Sequence, residues 1–327
     1  MQHPSCNSIP PSQFSDIQGD WFCTYEDRPE YAVTLGVLAG SFSVNYPRAQ
    51  LLIASPLDPS TIYPTLPPGS HFIHWRPEIG GWNVKPELLA KALMAGARTA
   101  AWIDADIFVS RDFHRILPQS PETLVVCDEA RSLTTQNTAE WARRLGRKPG
   151  RFLPRQINSA FVRVHASHQA LLNAWKNVCH DPAYQAQQKR PFNERDDPFK
   201  GDQDILTGLL ASEEFDRIPL FQLRAGRDIA HLLGGSGFGP HERLATIWRG
   251  QPPFLHAHGY PKPWMATSGN DWLALNPYVC AVRNLGRRLG WHLPWLQLPG
   301  GKSRLFNALS FGNPALAGLP FVLKPSR

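Results

Sequence analysis

No aspartate or glutamate occurs between Leu273 and Arg327, although that segment carries Arg283, Arg287, Arg288, Lys302, Arg304, Lys324 and Arg327. The formal charge of +7 therefore belongs to the tail, and the preceding body is charge-balanced. A protein that grips nucleic acid along its body needs a basic face on the fold itself, so nucleic acid is not the expected partner. No Cys-x-x-Cys pair is present, and the five cysteines (Cys6, Cys23, Cys127, Cys179 and Cys280) are widely spaced. This argues against a disulfide framework and a structural zinc site, and fits reduced thiols in a cytosolic setting. No uninterrupted apolar run reaches 18 residues, which leaves no candidate for a transmembrane helix. Met1 to Gln18 has no apolar stretch either. It reads as a disordered leader rather than a signal peptide or anchor.

Hydrophobic residues make up 42% of the 327, enough for a sizeable core and too many for wholesale disorder. The 31 prolines predict long irregular connections. The 11 tryptophans suit sugar stacking but are more simply core residues. Along the first third, short apolar strands alternate with helical periodicity. Trp21–Thr24, Leu51–Ala54, His71–Trp75 and Thr99–Ile103 read as strands. Residues 30–43 and 84–96 read as helices, the second through Leu88, Leu89, Ala92, Leu93 and Gly96. Residues 56–69, with five prolines, read as a loop. This alternation predicts a mainly parallel α/β sheet with helices on its faces. Further on, Ile157–Val164 reads as a strand, with helices at 167–178 and 202–211. Residues 181–200 and 226–242 read as long loops, Phe254–His258 as a short strand. From about residue 280, Gly and Pro recur too often for a long helix.

Two constellations carry chemistry. Asp104 and Asp106 flank Ala105 directly after the apolar run Thr99–Ile103. Ligands of open α/β sheets bind outside the carboxyl ends of strands, and paired carboxylates are what a hard divalent cation requires. Such a pair is also a common way for a strand to end in an acidic turn. The second constellation is His256-Ala257-His258-Gly259-Tyr260-Pro261-Lys262-Pro263-Trp264. It offers an imidazole, a glycine that permits close backbone approach, and a compact cation suited to phosphate. An imidazole added to two carboxylates favours Mn²⁺ over Ca²⁺.

His-x-x-Gly-x-x-Lys-Pro-Trp resembles the late signature of glycosyltransferase family 8, and all its fixed positions match; by background residue usage a chance match has odds of roughly one in ten thousand or less. Three further features follow that family's order. Ile157-Asn158-Ser159-Ala160-Phe161 resembles its Phe-Asn-Ser-Gly-Val segment, with Ala for Gly. Gly201-Asp202-Gln203-Asp204 resembles its Asp-Gln segment. Lys85 stands one helix before the Asp-x-Asp element. The resemblance spans about residues 20–265. It implies a GT-A fold, a Rossmann-like sheet with a smaller acceptor-binding part, and retaining transfer from UDP-sugars with Mn²⁺ or Mg²⁺. Asp104, Asp106 and His256 would hold the metal. Lys262 and the Gly259 backbone would hold the diphosphate, with Lys85 and Ala105 also on the donor. Thr24 and Tyr31 would lie near the nucleoside, although Thr24-Tyr25-Glu26-Asp27-Arg28-Pro29-Glu30-Tyr31 departs from the family by Pro29 and an apparent insertion. Asp202, Gln203 and Asn158 would face the sugar. Asp202 reads equally well as a helix N-cap after Gly201.

The expectation is therefore a metal-dependent hexosyltransferase using UDP-glucose or UDP-galactose, with a glycan, a lipid-linked glycan or a protein as acceptor. The expected layout is a leader (1–18), a transferase domain (19–272) and a basic aromatic tail (273–327). Cations interleaved with Trp and Leu in the tail suit docking on anionic lipid headgroups at the inner face of a membrane; a merely solvated cationic tail is the alternative. Three other readings remain open, a non-catalytic nucleotide-sugar binder, a haloacid-dehalogenase-like phosphatase and a membrane-docking interaction module. The phosphatase also places Asp-x-Asp after a strand, but leaves the late signature unexplained.

Overall fold

The computed structural model describes residues 19–62, 64–129, 137–232, 240–259, 262, 264 and 277–293. In chain order its elements are β1 (Asp20–Tyr25), α1 (Ala32–Asn45), β2 (Gln50–Ser55), β3 (Ser70–His74), α2 (Lys85–Met94), β4 (Thr99–Ile103), β5 (Ile107–Val109) and β6 (Leu124–Asp128). There follow α3 (Thr138–Arg144), β7 (Ile157–His165), α4 (Gln169–His180), α5 (Pro182–Gln188), α6 (Asp202–Leu210), β8 (Leu220–Leu223), β9 (Ile229–His231), α7 (Pro240–Arg249), β10 (Phe254–His256) and α8 (Pro277–Leu289).

The expected α/β architecture is present. A seven-stranded sheet runs β3-β2-β1-β4-β7-β6-β8. All its pairings are parallel except those of β7, which is antiparallel to both β4 and β6. β1, β2 and β4 are buried on both faces and so read as apolar runs rather than alternating ones. One face is covered by α2, α4 and α6 around Trp75, Trp102 and Trp175. The other is filled by an aromatic cluster of Phe22, Phe42, Tyr46, Phe113, Phe161 and Phe254. Trp21, Trp75, Trp102, Trp141 and Trp175 are buried, as the bland reading of tryptophan expects. Cys23, Cys127, Cys179 and Cys280 are buried free thiols.

A second sheet, β5-β10-β9, stands beyond the carboxyl end of β4. It pairs β10 antiparallel to β5 and parallel to β9. Leu255 and Ala230 of this sheet pack with Val37 of α1 and with Tyr278, Val282 and Leu285 of α8.

Several expectations are corrected. The loop expected at 181–200 contains α5, because Pro182 sits at the first helical turn and Asp181 caps it through Ala183 N–H; proline is pre-organised for that position. The loop expected at 226–242 contains β9 and the start of α7. The segment past 280 forms most of the 13-residue helix α8. The interior Gly286 is tolerated there, and the helix stops at Gly290, whose φ of +69° suits a C-terminal glycine. This segment is also no loose appendage, since the Trp291 ring lies against α1 where a side chain at Gly40 would stand. Among the described residues no helix is long and apolar enough to cross a membrane. The leader 1–18, the 272/273 boundary and the tail 294–327 lie outside the described residues.

Candidate active site

The order 3-2-1-4 reverses at β1, so the carboxyl ends of β1 and β4 form a topological switch point, where open α/β sheets bind ligands. Both Asp104 and Asp106 lie in the tight turn leaving β4, closed by Ile107 N–H to the Asp104 carbonyl at 3.0 Å. Ala105 is buried between them. β10 reaches this turn because His256 pairs with Ile107 and Ala257 N–H donates to the Asp106 carbonyl at 3.0 Å. Elements about 150 residues apart in sequence are joined there by backbone pairing.

The two carboxylates are held alike. Asp104 Oδ1 accepts from the Trp102 indole N–H at 2.6 Å and lies 3.2 Å from Lys85 Nζ. Its Oδ2 faces His256 Nε2 at 3.8 Å. Asp106 Oδ2 accepts from Lys262 Nζ at 2.6 Å, and its Oδ1 faces His256 Nε2 at 3.3 Å. Each carboxylate thus gives one oxygen to a lysine and turns the other toward the imidazole. The ligand atoms of Asp104, Asp106 and His256 lie within 4.8 Å of one another. Two oxygens and an imidazole nitrogen converging in this way fit Mn²⁺ or Mg²⁺. Burial raises the Asp106 carboxyl, but Lys262 and His256 outweigh it and hold the group well below the usual carboxylate range. It is therefore ionised, as a metal ligand must be.

Lys85 opens α2 and is almost fully buried. It donates to Ser159 Oγ at 2.7 Å and lies 3.3 Å from Asp202 Oδ2. Burial alone would lower its ammonium; Asp104 and Asp202 outweigh that and raise it. Asp202 is not the N-cap of α6. Gly201 holds that position and Asp202 is the first helical residue. Its carboxylate accepts from Ser159 Oγ at 2.8 Å, and its carbonyl from the Trp175 indole at 3.0 Å.

Asn158 and Gln203 meet at a residue that the sequence reading missed. Both side-chain amides donate to Glu129 Oε2, Gln203 at 3.3 Å. Asn158 Oδ1 in turn accepts from Ala160 N–H at 2.8 Å. Burial pushes the Glu129 carboxyl up against these hydrogen bonds. Its Oε1 lies 3.7 Å from His258 Nε2, which links the amide cluster to the group of Asp104, Asp106 and His256. Burial, then the neighbouring His256, lower His258 to about 4. A signal for Glu129 exists in the sequence, since Asp128-Glu129 ends the apolar run Leu124–Cys127 much as Asp104 ends Thr99–Ile103.

The expected nucleoside residues are more scattered. The Thr24 side chain is fully buried, and its hydroxyl makes no hydrogen bond to a described residue. The Tyr31 ring carries the Arg28 guanidinium 3.6 Å from its centroid on one side and meets Trp264 edge-on at 5.4 Å. Arg28 also forms a two-point pair with Glu26 at 2.7 and 2.8 Å. Gly259 has φ +88°, which lets the chain turn after β10 and return Lys262, whose Nζ also donates to the Ala257 carbonyl at 2.6 Å. Tyr260, Pro261 and Pro263 lie outside the described residues.

No family model and no curated protein matches the chain. Solved structures of similar backbone include the bifunctional glycosyltransferase WbbM, with TM-score 0.49 and 14% identity over 90% of this chain and 52% of that one. They also include the galactosyltransferase LgtC in complex with donor and acceptor sugar analogs, with TM-score 0.43 and 15% identity over 75% of this chain and 89% of that one. A third is a glycosyltransferase involved in glycosylation of the major capsid of PBCV-1, with TM-score 0.43 and 10% identity over 82% of this chain and 99% of that one. The chain spans about half the length of WbbM. At these identities the likeness is one of backbone, and the functional reading rests on the side chains described above.

Proposed function

We propose that this chain is a metal-dependent, retaining glycosyltransferase of family 8 type that transfers a hexose from a UDP-sugar to a glycan, lipid-linked or protein acceptor. The observation that carries the reading is the convergence of Asp104 Oδ2, Asp106 Oδ1 and His256 Nε2 at the switch point, with Lys262 beside them. The late signature holds both His256 and Lys262, and the fold brings it onto the Asp-x-Asp turn.

Bound there, Mn²⁺ or Mg²⁺ would supply charge neutralisation to a leaving diphosphate. Lys262 sits at the same edge, and its compact ammonium suits phosphate oxygens. Lys85 keeps Asp104 and Asp202 in place from beneath. On the other side, Glu129 is the carboxylate positioned to face positive charge that develops on the sugar ring. Asn158 and Gln203 orient it; Gln203 itself acts as a positioning group, since an amide oxygen is a weak nucleophile. Docking of the basic tail on an anionic membrane, in a cytoplasmic setting, belongs to the same proposal.

The test is calorimetric titration with UDP, with GDP and CDP as controls, with and without Mn²⁺. Binding of UDP that requires Mn²⁺ is expected. Failure of all three nucleotides to bind in the presence of the metal would return the site to the phosphatase or non-transferase readings.

A further inference from the structure

His231 has no place in the reading above, yet its ring is 1% exposed and in direct contact with a proposed ligand. The β9–β10 register pairs His231 with His256, and parallel neighbours at one register position project to the same face. Their Nδ1 atoms lie 2.9 Å apart. At the far side of the ring, His231 Nε2 lies 2.9 Å from the Asp128 backbone carbonyl.

Proton accounting then fixes both rings. A carbonyl oxygen only accepts, so His231 Nε2 carries a proton. One proton must lie between the two Nδ1 atoms for a contact of 2.9 Å to be a hydrogen bond. Were it on His231, that ring would be a buried imidazolium. The ion pairs of the histidine group run from His256 and His258 to Asp104, Asp106 and Glu129, and none among the described residues reaches His231. A buried charge without a partner is strongly disfavoured. The proton therefore belongs to His256 Nδ1. His256 Nε2, at 3.3 Å from Asp106 Oδ1 and 3.8 Å from Asp104 Oδ2, is thereby the ring atom turned into the ligand set.

We propose that His231 is a positioning residue: anchored on the Asp128 carbonyl, it accepts the His256 Nδ1 proton and turns that ring's Nε2 toward Asp104 and Asp106. The inference rests on the metal-site reading above for its purpose, but not for its geometry. Without His231, the His256 ring loses the acceptor that holds a proton on Nδ1 and can retain one on Nε2, where it competes with a metal for Asp106. The cluster His231, His256 and His258 also has its ligand atoms within 4.8 Å of one another. A metal bound to all three through His231 Nδ1 would displace the proton shared with His256 and leave the Nε2 contact to the Asp128 carbonyl intact.

Two measurements test this on the full chain. In metal-free protein labelled with ¹⁵N-histidine, long-range ¹H–¹⁵N spectra should show His231 protonated at Nε2 and His256 at Nδ1, with His256 assigned by loss of its signals in His256→Gln. A His256 ring without a proton on Nδ1 overturns the proposal, whatever any variant does. Second, Mn²⁺ titrations followed by electron paramagnetic resonance compare wild type, His231→Phe, His231→Asn and Asp106→Ala. Loss of a partner behind a metal ligand typically weakens binding by about 10–100-fold, and that loss is expected for His231→Phe. His231→Asn offers an amide oxygen where Nδ1 stood and should recover most of the affinity. Equal binding by His231→Phe and wild type overturns the proposal, as does an all-nitrogen Mn²⁺ coordination that includes His231. If wild type binds no Mn²⁺, the metal reading falls, and the tautomer spectrum alone decides the role of His231.

Discussion

Lys85→Met is expected to destabilise the fold by about 3–5 kcal/mol at pH 8, the usual range for breaking one side of a buried ion pair. The partner that sets this figure is Asp202, whose side chain is 6% exposed and whose Oδ2 lies 3.3 Å from the ammonium. Attraction at that distance is roughly 5 kcal/mol for an effective dielectric of about 20. Asp104 adds less, because its side chain is 25% exposed and solvent screens it. A proton limits the loss. Burial already raises the Asp202 carboxyl, and Lys85 is the foremost group holding it down. In the variant Asp202 rises further and can fold neutral. A carboxyl raised in the folded state is destabilising where it must ionise, so the deficit is small near pH 4 and grows as pH rises through the folded value. The lysine adds no slope over that range, since a raised ammonium contributes fully at any pH below its unfolded value. Urea unfolding followed by tryptophan fluorescence at pH 4.5 and pH 8 measures both ends. Lys85→Met/Asp202→Asn should recover at least half of the loss at pH 8. An equal loss at both pH values, or no recovery in the double variant, would refute the assignment of Asp202 as the dominant partner.

Asp106→Ala should abolish Mn²⁺-dependent binding of UDP, read by calorimetry, while leaving the far-ultraviolet circular dichroism unchanged; retained metal-dependent binding would remove Asp106 from the ligand set. For Lys262→Ala, UDP affinity in saturating Mn²⁺ should fall by about tenfold or more, as loss of a charge-assisted hydrogen bond implies. An unchanged Kd would count against its contact with the diphosphate. Burial raises Asp204 to about 7, with Asp197 and Asp202 adding to the effect. The group therefore weakens the fold as pH rises from the unfolded carboxylate value through 7. Asp204→Asn should stabilise by a few kcal/mol (~2–4) at pH 8 and by little at pH 4, with its side-chain oxygen still accepting from Gln156.

The first six elements were legible because their patterns are local. Leu51–Ala54 and Thr99–Ile103 are apolar on both sides, as central parallel strands must be. β5 and β9 have three residues each, too few for a period, and exist through pairing with β10. α5 was hidden by Pro182, which breaks a helix only beyond its first turn, and α8 by Gly286, whose interior cost is offset by packing of Tyr278, Val282 and Leu285. The site divides along the same line. Asp104, Asp106, His256 and Lys262 stand in compact motifs, and Lys85 and Asp202 in recognisable positions beside them. Ser159 and Glu129 owe their roles to long-range placement. β7 turns Ser159 toward Lys85 and Asp202 and turns Asn158 toward Glu129, by simple alternation of faces. His231 carries no local signal at all; its position opposite His256 is a register fact.

If the proposed metal site is taken as the premise, the arrangement also explains why two lysines stand beside it. Two carboxylates and an imidazole that converge without a cation would repel, and the turn after β4 would relax to part them. Lys85 and Lys262 each bind one carboxylate through the oxygen that faces away from His256. They supply the positive charge that keeps Asp106 ionised and the two carboxylates close, yet leave Asp104 Oδ2 and Asp106 Oδ1 turned toward His256. The two clamps differ in burial. Lys85 is sealed beneath α2 against Ser159 and Asp202, so it serves as a fixed support. Lys262 lies at the edge, 13% exposed, on the chain that returns after Gly259. It alone of the two can exchange a carboxylate oxygen for a phosphate oxygen without unpacking the core. In the proposed transferase, a site built this way would hold its ligand geometry before the metal arrives, and the Lys262 ammonium would then pass to the donor.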